Sequence, residues 1–173
     1  VNAGINGTMA PIEMLDIEDW DLTLNTNLRS TFATVKYAIP FMKEQGGSII
    51  ITSSINGNRV FSNFGAAAYS SSKAGQVSFM KMAALELAQY AIRVNAVCPG
   101  SIDTNIGDNT YKSDAIEEVK IPVEFPDGSH PLENAPGKPE QVANLVLFLA
   151  SDESFHVTGA EIFVDGAESL LRG

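Results

Sequence analysis

The 173-residue sequence is poor in cysteine, in basic residues and in long apolar runs. Cys98 is the only cysteine, so no intrachain disulfide can form, which fits a reducing compartment. Lys and Arg number 11 against 21 Asp and Glu, giving a net charge of −10 without any basic cluster. This balance argues against a nucleic-acid partner. The apolar runs are too short to cross a bilayer, so a membrane protein is not predicted.

Metal-binding patterns are also missing. No two-cysteine motif and no His-x-x-x-His spacing occurs, and the lone histidines His130 and His156 are interpreted as structural or solvated. No metal site is therefore predicted. The first residues contain no strand followed by a glycine-rich turn, the feature that cradles a pyrophosphate in dinucleotide-binding proteins.

What the sequence does contain is a tyrosine four residues before a lysine, Tyr69-Ser-Ser-Ser-Lys73. On a helix this spacing places both side chains on one face. A tyrosine hydroxyl is a poor base at neutral pH because its pKa is about 10. A neighbouring ammonium favours the phenolate, so we expect Lys73 to lower the pKa of Tyr69 and to make it a usable acid or base.

A cysteine in a strand such as Cys98 is interpreted as a core residue.

Two predicted strands surround this helix. The first lies within Gly46–Ser54 and the second within Ile92–Cys98, which a Pro99-Gly100 turn ends. Ser54 and the turn therefore follow the carboxyl ends of strands, where open α/β sheets bind ligands. Ser53 is the alternative to Ser54, and strand alternation predicts that its side chain points the other way.

The ordered set of motifs resembles the short-chain dehydrogenase/reductase family from Asn2 to Gly166. The matching segments are Asn2-Ala3-Gly4, the helix from Trp20 to Leu28, Ser54 with Tyr69 and Lys73, Ile92–Gly100, Val157-Thr158-Gly159 and Ile162–Gly166. The resemblance implies an α/β, Rossmann-like, doubly wound parallel sheet. It also implies an oxidoreductase that uses NAD or NADP to interconvert a secondary alcohol and a ketone, with a small molecule as its substrate.

The same resemblance assigns roles to individual residues. Tyr69 would be the general acid/base, Ser54 would hold the substrate oxygen, Lys73 would tune Tyr69 and bind the nicotinamide ribose, and Asn27 would hold a water linked to Lys73. These four are the predicted catalytic residues. The predicted cofactor-binding residues are Asn2, Ala3, Gly4, Tyr69, Lys73, Pro99, Gly100, Ile102 and Thr104.

The family carries two β-α units and a further strand before the segment that Asn2 matches. We therefore expect an N-terminally truncated single domain over 1–173, with a stub of strand 4 followed by strands 5, 6 and 7. An alternative that stays open is a non-catalytic assembly or binding module, because the nucleotide-binding half is missing. Segment 101–138 is the expected substrate lid. Its four prolines indicate an irregular loop, which is usually functional or disordered. Its excess of acids argues against a strongly anionic substrate, although a solvated loop explains the same charge.

Helices are predicted over about 19–44, after Tyr69, briefly at Ile116–Val119, and from Pro139, with Val142–Ala150 largely buried. The last strand is predicted at Ala160–Val164. A second apolar stripe beside the core stripe of the Tyr69 helix includes Phe79 and Met82, which simple core packing would also explain. In the resembled family the two long helices, which correspond to about 19–44 and to the helix after Tyr69, join subunits, so a homotetramer is expected. A cytoplasmic location is also expected.

Overall fold

A three-stranded parallel sheet is the centre of the computed structural model, which describes residues 1–125 and 128–172. The strands are β1 (Gly7–Met9), β2 (Gly47–Thr52), β3 (Ile92–Pro99), β4 (Thr110–Lys112) and β5 (Glu161–Val164). The α-helices are α1 (Ile17–Leu24), α2 (Ser30–Met42), α3 (Ala67–Leu87), α4 (Ile116–Val119), α5 (Pro139–Ala150) and α6 (Glu168–Arg172). None of the helices in these ranges is long and apolar enough to cross a membrane.

The sheet order is β2–β3–β5, as the α/β prediction requires. Ile51 pairs with Ala96, and Val97 pairs with Ile162, in parallel register. The middle strand β3 is almost entirely buried, which explains its continuous apolar sequence, since a parallel strand is covered on both faces. Cys98 is buried in this strand, in agreement with its predicted core position.

Helices cover both faces of this sheet, and the fold is therefore Rossmann-like. Val77 and Met80 of α3 pack with Ile49 and Ile51 in the core on one face. On the other face the hydroxyl of Ser48 donates to the carbonyl of Leu149 in α5 at 2.7 Å. These two contacts use alternate residues of β2, as the period of a strand demands.

The prediction that Val142–Ala150 is largely buried is wrong. Only Leu149 of α5 is buried, and Leu147 and Phe148 are exposed. The helix contacts the sheet along one narrow stripe, so the apolar side chains on its remaining surface stay in solvent.

Val1 adds one residue beside β2. Its amino group donates to the carbonyl of Ile50 at 2.6 Å, and the N–H of Thr52 donates to the carbonyl of Val1 at 2.9 Å. This contact lies on the side of the sheet where the sequence predicts a stub of strand 4. It places the following residues, Asn2 to Gly4, at the carboxyl edge of the sheet.

A π-helical segment, Asn25–Arg29, joins α1 to α2 where the sequence predicts one uninterrupted helix. Such segments are rare and occur frequently at functional sites. Asn27 lies in its middle and is fully buried.

The predicted lid 101–138 has more structure than its sequence indicates. Its residues Pro126 and Asp127 lie outside the described residues. Residues Asn105–Asn109 form a 3-10 turn, α4 confirms the expected helical turns, and β4 pairs in parallel with β1. The β1–β4 pair was not predicted, because three-residue strands carry too few alternating side chains to be recognised. The pair holds the middle of the lid against the residues that follow Gly4.

Candidate active site

Ser54 and Tyr69 meet at the carboxyl end of β2. Ser54 follows the strand, and its hydroxyl caps the short 3-10 turn Ile55–Gly57 by accepting from the N–H of Asn56 at 3.2 Å. Tyr69 lies in the first turn of α3, close enough to Ser54 for the serine side chain to influence the tyrosine pKa. Ser53 instead donates to the main-chain carbonyl of Lys73 at 3.0 Å. The two serines thus point to different partners, as strand alternation predicts.

The expected direction of the Tyr69 pKa is wrong for this structure. Burial raises the pKa of Tyr69 above its ordinary value, and the hydrogen bond with Ser54 offsets this only in part. The ammonium of Lys73 lies 5.6 Å from the centre of the tyrosine ring. Desolvation of the phenolate is the largest effect on this pKa. Tyr69 is therefore a protonated phenol at neutral pH, which suits a proton donor.

Lys73 is buried beside Tyr69, with 4% of its surface exposed. Its ammonium donates to the carbonyl of Thr52 at 3.0 Å. Burial lowers the pKa of Lys73 from 10.5 to about 8, although the neighbouring Cys98 opposes this shift. Lys73 is consequently a lysine that can lose its proton in the physiological range.

Burial also raises the pKa of the Cys98 thiol to about 11, assisted by the carboxylate of Glu161, so the thiol is not a nucleophile at neutral pH.

Asn27 supports the site through three hydrogen bonds of its side chain. Its side-chain Oδ1 accepts from the N–H of Ile5 at 2.8 Å, and its Nδ2 donates to the carbonyl of Ile5 and to the hydroxyl of Ser72, each at 2.9 Å. A Cβ on Gly4 would lie 3.2 Å from Asn27 Oδ1 and 3.6 Å from Lys73 Nζ. The absence of a side chain at Gly4 therefore keeps space beside the lysine.

A cavity of about 1300 Å³ collects most of the predicted site residues. Its lining includes Asn2, Gly4, Ser54, Tyr69, Lys73, Pro99, Gly100, Ile102 and Thr104. Two predicted residues are not in this lining. Ala3 is exposed outside the cavity, and Asn27 lies buried beneath it. The structure thus brings eight of the nine cofactor candidates, including Tyr69 and Lys73, to the cavity together with Ser54.

Glu168 is a charged residue of this cavity that the sequence analysis missed. Glu168 lines it as a buried carboxylate and accepts from the N–H of Ser101 at 2.7 Å. No spacing rule links residues 67 positions apart, so only the fold could identify this contact. Asn56 also lines the cavity, and its N–H bond to Ser54 follows from the position directly after a capping serine, a signal the sequence did contain.

A Rossmann-like sheet with a serine, a tyrosine and a lysine gathered at its carboxyl edge defines the class of protein. A family model described as enoyl-(acyl carrier protein) reductase matches residues 1–167. The 3-oxoacyl-(acyl-carrier-protein) reductase of Thermotoga maritima is 40% identical over 167 residues, which cover 95% of this chain and 63% of that protein. The chain belongs to the short-chain dehydrogenase/reductase family.

Solved structures show the same fold. A 3-ketoacyl-ACP reductase from Sinorhizobium meliloti matches with a TM-score of 0.94 and 49% identity, over 99% of this chain and 68% of that one. A 3-ketoacyl-(acyl-carrier-protein) reductase from Brucella melitensis, solved with NADH, matches with a TM-score of 0.81 and 27% identity, over 97% of this chain and 65% of that one. The chain therefore spans about two thirds of the length of such proteins.

Proposed function

We propose that the whole protein containing this chain is an NAD- or NADP-dependent oxidoreductase that interconverts a secondary alcohol and a ketone. The observation that carries the proposal is the convergence of Ser54 and Tyr69 on one cavity beside the buried ammonium of Lys73. The relatives support it, because 3-oxoacyl and 3-ketoacyl reductases act on a ketone.

Tyr69 supplies the proton in this proposal. Its pKa is raised by burial, so the phenol holds its proton at neutral pH and can donate it to a carbonyl oxygen. Ser54 bonds the same substrate oxygen and stabilises the charge that develops on it. In the reverse direction Tyr69 must first lose its proton. We therefore expect the rate of alcohol oxidation to increase relative to the rate of ketone reduction as the pH rises.

The residues around Lys73 fit a nicotinamide cofactor. Gly4 leaves space next to the ammonium, and Gly100 has no room for a side chain because its Cβ would lie 2.7 Å from the Cβ of Asp165. Lys73, Tyr69 and Asn2 would hold the nicotinamide ribose, while Ile102 and Thr104 would hold the carboxamide. When bound, the cofactor supplies or accepts the hydride. Asn27 would order a water that links Lys73 to solvent.

Residues 101–138 act in this proposal as the substrate lid of a single domain. Both ends of the segment are joined, because the N–H of Gly137 donates to Ser101 and the N–H of Asp103 donates to Gly137, each at 2.9 Å. Lys73 and Glu168 are the only charged side chains among the described residues that line the cavity. A cavity of this kind suits an uncharged small molecule.

A test uses the whole protein with NADH and NADPH and a panel of ketones and secondary alcohols. Tyr69→Phe removes the proton donor but keeps the ring, so turnover should fall by about 10²- to 10⁴-fold while cofactor affinity stays within a few-fold. Tyr37→Phe is the matched control, because Tyr37 is an exposed tyrosine of α2. Unchanged turnover in Tyr69→Phe would refute the assignment.

A further inference from the structure

The carboxylate of Glu168 lies directly behind the turn that follows β3. Glu168 is the first residue of α6, and only 4% of its surface is exposed. Its Oε2 accepts the N–H of Ser101 at 2.7 Å, and a Cβ on Gly100 would lie 2.8 Å from the same oxygen. Short hydrogen bonds to a carboxylate are stronger than those between neutral groups. Glu168 therefore binds the N–H of Ser101 and occupies the space that a side chain at position 100 would need.

The same turn is held from its other side by Gly137. The carbonyl of Ser101 accepts from the N–H of Gly137, and the N–H of Asp103 donates to the carbonyl of Gly137. Both main-chain groups of Ser101 are thus bonded, the N–H to Glu168 and the carbonyl to Gly137. Ile102 lies between the two bonded residues, so its main chain has little freedom to move.

Neighbouring residues in the sequence hold Glu168 in its position. Between β5 and α6, Gly166 and Ala167 both have positive φ angles, 54° and 67°, which reverse the chain direction. The carboxylate of Asp165 accepts from the N–H groups of Ala167 and Ser169 at 3.2 and 3.1 Å. An alanine in the left-handed region is strained, and such strain persists only where surrounding contacts impose it.

We propose that Glu168 is a positioning residue that fixes the main chain of Ser101 and Ile102 for cofactor binding. The proposal rests on the function proposed above, in which Ile102 and Thr104 hold the nicotinamide carboxamide. Glu168 acts through the N–H of Ser101 and does not touch the reacting atoms. Without its carboxylate oxygen this N–H loses its partner, and the turn is held by Gly137 alone.

The experiment compares Glu168→Ala, Glu168→Gln and the control Glu153→Ala in the whole protein. Glu153 is exposed in the 3-10 turn after α5. The dissociation constant of NADH or NADPH is measured by fluorescence titration, together with kcat and the substrate KM at saturating cofactor. Glu168→Ala should weaken cofactor binding about tenfold while the substrate KM stays within twofold. Glu168→Gln should stay within threefold of wild type, because its amide oxygen still accepts from Ser101.

Two results would overturn the proposal: cofactor binding by folded Glu168→Ala within twofold of wild type, or equal losses in the Ala and Gln variants. If Glu168→Ala does not fold, Glu168→Asp decides, since it keeps the charge but withdraws the oxygen by one methylene. It should weaken cofactor binding several-fold, and wild-type affinity would contradict the proposal. A wild-type protein that binds neither cofactor would instead refute the proposed function before any variant is measured.

Discussion

Asn27 and Ile5 exchange two hydrogen bonds, with the amide side chain of Asn27 matching both the N–H and the carbonyl of Ile5. This pairing joins the π-helical segment to the loop that follows Gly4. It satisfies two main-chain groups that have no strand partner, since β1 begins only at Gly7. The loop beside Lys73 is therefore held by a side chain where a sheet neighbour would normally hold it.

Removing this pairing should destabilise the protein. Asn27→Ala leaves the polar groups of Ile5 and the hydroxyl of Ser72 without their amide partner, and each such loss costs about 1–3 kcal/mol. We expect the free energy of unfolding, measured with urea, to fall by about 2–4 kcal/mol. Asn25→Ala is the control, because Asn25 is exposed in the same segment and its loss should cost less than about 0.5 kcal/mol. Equal stability of the two variants would contradict the structure.

The two serines after β2 should differ in their effect on catalysis. Ser54→Ala removes the hydroxyl beside Tyr69, so turnover should fall by about 10²-fold or more, and the lost cap on Asn56 should cost about 1 kcal/mol of stability. Ser53→Ala removes the bond to the carbonyl of Lys73 and should cost about 1 kcal/mol of stability while most activity remains. Steady-state kinetics and thermal unfolding of both variants provide the test. The reverse pattern would exchange the roles of the two residues.

Lys73 should make stability depend on pH. Its folded pKa of about 8 lies below its ordinary value of 10.5, so between these values the unfolded chain binds the extra proton. Stability therefore rises with pH across this window, and the penalty for burying the charge is fully present below pH 8. Between pH 8 and 10 the wild type should gain about 2 kcal/mol relative to Lys73→Met. The control Lys112→Met, at an exposed lysine, should show no such relative change. A constant difference between wild type and Lys73→Met would show that the folded pKa is not lowered.

The exposed apolar side chains of the long helices lead us to expect a homotetramer. Phe41 of α2, Met82 and Leu85 of α3 and Leu147 of α5 are all exposed in the single chain. Soluble proteins rarely leave such groups in water, and two two-fold contacts would cover them. Met82→Asp should dissociate the assembly in sedimentation velocity. Phe79 is less suitable for this test than its sequence position indicated. Its ring packs against the ring of Phe32 within the same chain, with 6.0 Å between the two ring centres.

The matched control for the assembly is Ile121→Asp, which places the same charge on an exposed apolar residue of the lid. It should leave the sedimentation coefficient unchanged. A wild-type protein that sediments as a monomer would disprove the expected tetramer.

Local patterns predicted the individual strands and the pair Tyr69–Lys73, whereas the parallel sheet and the grouping of Ser54 with this pair were implied by the resemblance to the family. A β-branched run marks β2, and a four-residue spacing places Tyr69 and Lys73 on one helix face. The sign of the Tyr69 pKa could not be predicted in this way. It is the balance of burial against the effect of the Ser54 side chain, and burial is set by tertiary packing.

The missed features share a different cause. The pairing of β1 with β4 and the contact of Glu168 with Ser101 join segments more than 60 residues apart. The exposed apolar residues of α5 resemble core residues in composition, since hydrophobicity alone does not distinguish burial in a core from burial in an assembly.

The hydrogen bonds that join Ser101 and Asp103 to Gly137 have a consequence for divergence within the family. They close the lid at its base, and the entropy lost by bringing the two ends of a flexible segment together grows only with the logarithm of its length. Doubling the enclosed segment would cost only about 0.6 kcal/mol in loop-closure free energy. Insertions between these residues should therefore change the shape offered to a substrate while the acid–base residues keep their geometry.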